Sequence, residues 1–169
     1  MPHVIAWDAN RADPLIDAEL DRARAFFGAD GEGASALLPV LHAMQHHFGF
    51  VWPEAVPHIA HRLNLSKADV RGVLSFYHDF PETPPGRHVL KLCRAEACQS
   101  VGSERVAAHL AAAHTLTPGA TAHGVTLQNV YCLGNCALGP AAMIDEQLLS
   151  GFDELTADLW MSRLQDGAP

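Results

Sequence analysis

From residue 35 to 49 the apolar positions Leu37, Leu38, Leu41, Met44 and Phe48 return every three or four residues, with Gly49 behind them. That is the period of an amphipathic helix, and the glycine predicts its end. Pro53 is suited to open a second helix, running to Leu63 with Ile59 and Leu63 on one face. Ser66 and Asp69 stand at capping-box spacing for a third, in which Val70, Val73, Leu74 and Tyr77 are predicted to face inward. Three short helices thus fill residues 35–78. The two prolines and glycine of PETPPGR, 81–87, end that run and predict an extended linker.

Beyond the linker the period changes. Residues 88–92 alternate as a strand, Val106, Leu110 and Ala113 mark a helix ending before TPGATAHG, and 125–130 reads as a second strand. Residues 141–145 and 147–150 predict a short hairpin, and Leu155, Leu159 and Leu164 predict a final helix. Strand, helix, strand, hairpin, helix is an α/β (α+β) order. Residues 1–34 are polar and broken by GADGEG at 28–33, with one helix predicted over 14–27. The expected organisation is an N-terminal appendage (1–34), a helical subdomain (35–80) and an α/β domain (87–169).

Composition changes this picture little: 49% hydrophobic and 18% charged residues in a chain of 169 are ordinary for a globular protein. No apolar run reaches 18 residues, and MPHVIAWDANRAD lacks the basic flank and long apolar stretch of a secretory signal. The expected location is cytoplasmic, without direct membrane insertion. Net charge is −8, spread evenly, with six basic and ten acidic side chains through residue 80 and five and nine after it. Such a surface repels phosphate backbones and argues against nucleic acid as a partner. In a reducing compartment four cysteines point to metal or redox chemistry rather than to disulfides.

The cysteines form two pairs, C-R-A-E-A-C at 93–98 and C-L-G-N-C at 132–136, with 33 residues between them. Each pair directly follows a predicted strand. If the two strands lie near each other in one sheet, both loops leave it at the same end and four thiols converge. Four thiolates suit zinc or an iron-sulfur cluster. Structural zinc loops most often hold fewer residues between ligands around one ion, whereas a two-iron cluster is longer and is gripped from both ends. The plant-type ferredoxin pattern needs a cysteine where Val101 stands, so that type is excluded. Gly134 and Asn135 fit a cluster loop whose backbone N–H groups approach sulfur, and equally an ordinary turn. Zinc ligation and inert or redox-switch thiols are the competing readings.

With LLPVLHAMQHHFGFV, ADVRGVLSFYHDF and the two cysteine motifs in order, residues 35–165 resemble the thioredoxin-like [2Fe-2S] subunit family of NADH-quinone oxidoreductases. The family is shared with NAD-reducing hydrogenases and NAD-dependent formate dehydrogenases. The resemblance implies a helical N-terminal part followed by a thioredoxin-like domain, with Cys93 and Cys98 on one iron and Cys132 and Cys136 on the other. LCRAEACQSVG and NVYCLGNCALGPA look most like the gamma subunit of the molybdenum-containing, NAD-dependent formate dehydrogenases. Such a subunit transfers electrons and carries no catalytic residue of its own. No G-x-G-x-x-G follows a strand here, so the resemblance implies FMN and NAD on a partner subunit, with a molybdenum-pterin subunit further along.

Other features have plainer readings. VPHIAHRLNLSKADVRGVLSFY imitates a helix-turn-helix, which makes a zinc-stapled DNA-binding protein the competing function. Lys67 and Arg71 share its supposed reading face with Asp69, and the chain is acidic, so core packing and subunit contact explain it better. His42 with His46, and His58 with His61, share helix faces, but no carboxylate or third histidine is placed to complete a site. Phe76, Tyr77 and Trp160 read as core residues, and an exposed Phe76–Tyr77 pair would suit a subunit interface. Arg94 and Glu96 are read as solvated, ahead of a local pair or a partner contact. Ser75, Ser100 and Ser103 have no acid-base partner at a telling spacing.

Overall fold

A computed structural model describes residues 6–28, 33–77 and 79–165. Most of GADGEG, residues 29–32, lies outside the described residues, as do 1–5, 78 and 166–169. The chain divides into two compact units between residues 84 and 85, inside the predicted linker.

The first unit is helical: α1 (Ala9–Phe27), α2 (Ala34–Phe48), α3 (Ala55–Arg62) and α4 (Lys67–Phe76). Asp8 caps α1 by accepting from the Asn10 N–H at 3.0 Å. Gly49 ends α2 at φ 85°, a left-handed position that costs a glycine nothing. Both halves of the Ser66–Asp69 capping box are formed, Ser66 N–H donating to Asp69 Oδ2 at 2.9 Å and Asp69 N–H to Ser66 Oγ at 3.1 Å. Where the sequence suggests an appendage, Ala12, Ile16, Leu20 and Ala23 of α1 sit in the same apolar cluster as Leu37, Val40, Leu41 and Met44 of α2. The segment looks separate because most of its residues are polar; four small or aliphatic positions at helical spacing suffice to bury one face. Asp13 and Asp17 on α1 ion-pair with Arg62 on α3, and Asp13 Oδ1 accepts from His58 Nε2 at 2.8 Å. That bond, with the Arg62 charge, holds the Asp13 carboxyl below its usual pKa.

Two inward assignments change. Tyr77 is 40% and Phe76 74% exposed, because α4 ends at Phe76 and Tyr77 leaves it in an extended conformation. The helical period extrapolated past that end puts Tyr77 on the wrong side. The two rings instead stack edge-on, 5.0 Å apart, on the surface.

The second unit holds a five-stranded mixed sheet in the order β2-β3-β1-β4-β5. The strands are β1 (His88–Cys93), β2 (Thr121–Ala122), β3 (Val125–Val130), β4 (Ala142–Ile144) and β5 (Gln147–Leu149). Helices α5 (Glu96–Ser100) and α6 (Ser103–His114) connect β1 to β3, and α7 (Glu154–Gln165) follows the sheet. β1 and β3 are parallel neighbours, in register from His88 opposite Val125 to Cys93 opposite Val130. Their connection is therefore a crossover through helices. β4 pairs antiparallel with β1, and β5 with β4. Leu90, Leu92, Leu127, Ile144 and Phe152 form the core with Val106 and Leu110 of α6, each large side chain contributing about 1.5–3 kcal/mol by burial. α7 buries Ala157, Met161 and Leu164, while Leu155 and Leu159, predicted as its apolar face, are 79% and 51% exposed. The buried set keeps the i, i+4, i+7 spacing with one small residue in it, which a count of leucines overlooks. Trp160 is partly buried beside that core. Among the described residues no helix is long and apolar enough to cross a membrane.

Candidate metal centre: four thiols at one end of the sheet

The parallel register of β1 and β3 decides where the thiols go. Cys93 is the last residue of β1, opposite Val130, the last of β3, and Cys132 follows two residues later. Both loops leave the sheet at the same end, which satisfies the condition on which convergence rests. Arg94 N–H donates to Val130 O at 2.8 Å and Cys93 N–H to Ala141 O at 3.0 Å, so three chain segments are stitched together at the site.

The two pairs are built differently. Cys93 and Cys98 are each 1% exposed and pack with Ala141, Ala95, Val130 and Leu133. Cys98 lies on α5, a short helix where the residue pattern suggests only a loop. Five residues, most of them small or polar, are too few to show a helical period. Cys132 and Cys136 are exposed, with their sulfurs 3.9 Å apart. Cys132 has φ 130°, a strained conformation for a side-chain-bearing residue. Gly134 follows at φ 74° with open space where a Cβ would stand, so backbone conformation rather than room calls for glycine there. Its N–H donates to Cys132 Sγ at 3.3 Å. Asn135 is not a sulfur donor through its side chain: Nδ2 donates to Ser150 Oγ at 2.8 Å and ties the loop to the turn after β5.

The thiols sense one another. Burial pushes the Cys98 thiol above its usual pKa, opposed by the Ala141 N–H that faces its sulfur, with Cys93 and Cys136 adding to the rise. The hydrogen bond from Cys132 and its charge raise Cys136, with a smaller contribution from Cys93. A bound cation reverses that logic, since it replaces the protons and the ligand must be thiolate. Three or more sulfurs are not gathered within 4.8 Å of one another among the described residues. The soft, all-sulfur donor set and the backbone N–H groups aimed at sulfur suit a [2Fe-2S] cluster.

Two contributors to the site are not evident from the residue pattern. Gly139, whose bond to Pro140 is cis, lies against the site: a Cβ there would meet Val101 Cγ2 at 3.0 Å and Cys98 Sγ at 3.5 Å. Its glycine in CALGP is visible in the sequence, but the close approach comes from a distant part of the chain. Arg94 is not free in solvent; its Nε donates to Glu104 Oε1 at 2.7 Å, an i to i+10 pair that fastens the first loop to α6. That bond keeps the guanidinium more firmly protonated than usual. Of the histidines that share helix faces, His42 lies edge-on to Phe80, His46 and His61 are exposed, and His58 faces Asp13.

Comparison with known proteins agrees with this geometry. The chain is 29% identical over 133 residues to an NADH-quinone oxidoreductase subunit of Buchnera aphidicola subsp. Baizongia pistaciae, covering 78% of each. To the NADH-quinone oxidoreductase subunit of the same name from Escherichia coli (strain K12) it is 36% identical over 114 residues, 66% of this chain and 69% of the relative. Among solved structures it is similar to an NAD+-reducing [NiFe]-hydrogenase in the air-oxidised state, with TM-score 0.66 and 25% identity over 79% of this chain. This chain spans 23% of the hydrogenase chain it matches. Residues 23–165 match the thioredoxin-like [2Fe-2S] ferredoxin family, and the chain belongs to that family.

Proposed function

We propose that this chain is the electron-transfer subunit of an NAD-linked oxidoreductase and holds one [2Fe-2S] cluster through Cys93 and Cys98 on one iron and Cys132 and Cys136 on the other. The observation that carries the proposal is the parallel pairing of β1 with β3, which delivers both cysteine loops to one end of the sheet. When bound, the cluster takes up and returns one electron at a time. The chain's residues set how that happens. Cys93 and Cys98 anchor the site in an apolar pocket, while Cys132 and Cys136 present its other side at the surface. The Gly134 and Ala141 N–H groups favour negative charge on sulfur and tune the potential. Tyr131 and Leu138, 75% and 60% exposed, flank the outer pair with apolar surface suited to a dry contact with a redox partner.

In this reading the partner carries FMN and binds NAD, because a one-electron carrier needs a flavin between itself and a hydride acceptor. The relatives' names support an NADH-quinone oxidoreductase or an NAD-reducing hydrogenase as the kind of complex. The cysteine motifs support the finer assignment to a formate dehydrogenase with a molybdenum-pterin subunit. Purified chain is expected to be brown, with iron and acid-labile sulfide near two per chain. Colourless protein with one zinc overturns the proposal and revives the DNA-binding alternative. The subunits that co-purify decide the parent complex: a molybdenum-pterin chain supports formate dehydrogenase, and a quinone-linked membrane arm supports the respiratory enzyme.

A further inference from the structure

Far along α6 from the thiols, two histidines and a carboxylate meet. His109 Nε2 lies 2.6 Å and His114 Nε2 2.7 Å from the same oxygen, Asp158 Oδ1. The two rings are 5.9 Å apart at 74° to each other, so they converge on that oxygen from different directions. All three donor atoms lie within 4.8 Å of one another, the sole such group of three or more among the described residues. The histidine side chains are 29% and 16% exposed and the carboxylate 47%, which leaves an approach from solvent.

We propose that His109, His114 and Asp158 form a second metal site, taking one divalent ion of the zinc type and joining α6 to α7. Two imidazole nitrogens and one carboxylate oxygen are the donors such an ion prefers, with water completing the coordination. Around a tetrahedral ion neighbouring donors stand about 3.3 Å apart. The two nitrogens therefore need to retreat from Oδ1 by roughly 0.6 Å. The proton balance is simple. In each neutral ring the proton that Nε2 shares with Oδ1 moves to Nδ1, and Nε2 binds the ion; an imidazolium would release its proton.

The site is independent of the cysteines. α6 begins at Ser103 and ends at His114, roughly 16 Å further along the helix. It is also absent from any single helix face: positions 109 and 114 are five residues apart, more than a third of a turn out of line. They meet because His114 closes α6, where Thr115 turns the chain at φ 55°, and because α7 supplies the carboxylate between them.

The test is zinc content after equilibrium dialysis of the full chain against buffered zinc, compared among wild type, the double variant His109→Ala with His114→Ala, and Asp158→Asn. The difference between chains isolates this site whatever the cysteines hold. Wild type should retain about one zinc more than the double variant, and its thermal midpoint should rise with zinc and fall back with EDTA. Asp158→Asn should weaken binding by more than the roughly 10–100-fold that outer-shell changes cost. If the double variant fails to fold, the isosteric Asp158→Asn decides alone. Equal zinc retention in wild type and Asp158→Asn, or an equal midpoint shift in both, would overturn the proposal and leave a histidine–carboxylate clamp.

Discussion

The two cysteine loops present the same chemistry in opposite ways. The first is short and structured: Cys93 ends a strand, Cys98 rides a helix, and both residues are 1% exposed. The second is irregular: Cys132 is held at φ 130°, Gly134 at 74°, and both cysteines are exposed. A buried pair is fixed by packing before any metal arrives. An exposed pair is fixed by backbone geometry and by tethers such as Asn135 to Ser150. On the proposed function the difference separates two tasks: the inner loop would anchor the bound group and the outer loop would bring it to the surface.

The largest effect should erase the comparison. Cys→Ser at any of positions 93, 98, 132 or 136 should abolish the visible absorption of the purified chain; full absorption in a single variant would remove that residue from the ligand set. The comparison sharpens in the metal-free chain. Cys98→Ser buries a hydroxyl in an apolar pocket and should cost about 1–3 kcal/mol in urea unfolding. Cys136→Ser should stay within about 0.5 kcal/mol of wild type, as expected for an exposed position. Equal losses would mean that the two loops do not differ in packing.

Two glycines divide the same way. Gly139→Ala should destabilise by about 1–3 kcal/mol through overpacking against Val101 and Cys98. Gly134→Ala should cost about 1 kcal/mol through its left-handed backbone alone, having open space around it. Replacing Val101 by Ala should relieve the first and not the second, which a double-mutant cycle measures. A small effect is expected at the rim: Arg94→Ala removes a partly exposed pair with Glu104 and should lower stability by at most about 1 kcal/mol. A larger loss would show that the first loop depends on this tether more than on its burial.

Much of the architecture can be read directly from the chain. The strand at 125–130 matches β3, the helix ended by Gly49 matches α2, and the break at PETPPGR contains the division between units. These are local signals, carried by period and by residues that cannot continue a helix. α5 is too short to show a period, and Tyr77, Leu155 and Leu159, placed inward by period, are exposed.

Sequence alone determined which residues are the candidates for the chemistry: four cysteines in two pairs, each set after a strand. Spacing and residue type are properties of the chain itself, so nothing more was needed. Only tertiary structure decided that β1 and β3 are parallel neighbours, that one thiol pair is buried and the other exposed, and that Gly139 touches Cys98. It also brought His109 and His114 to Asp158, from 49 and 44 residues away in the chain. Register, burial and such meetings depend on how distant segments pack, and no local pattern of residues contains that information.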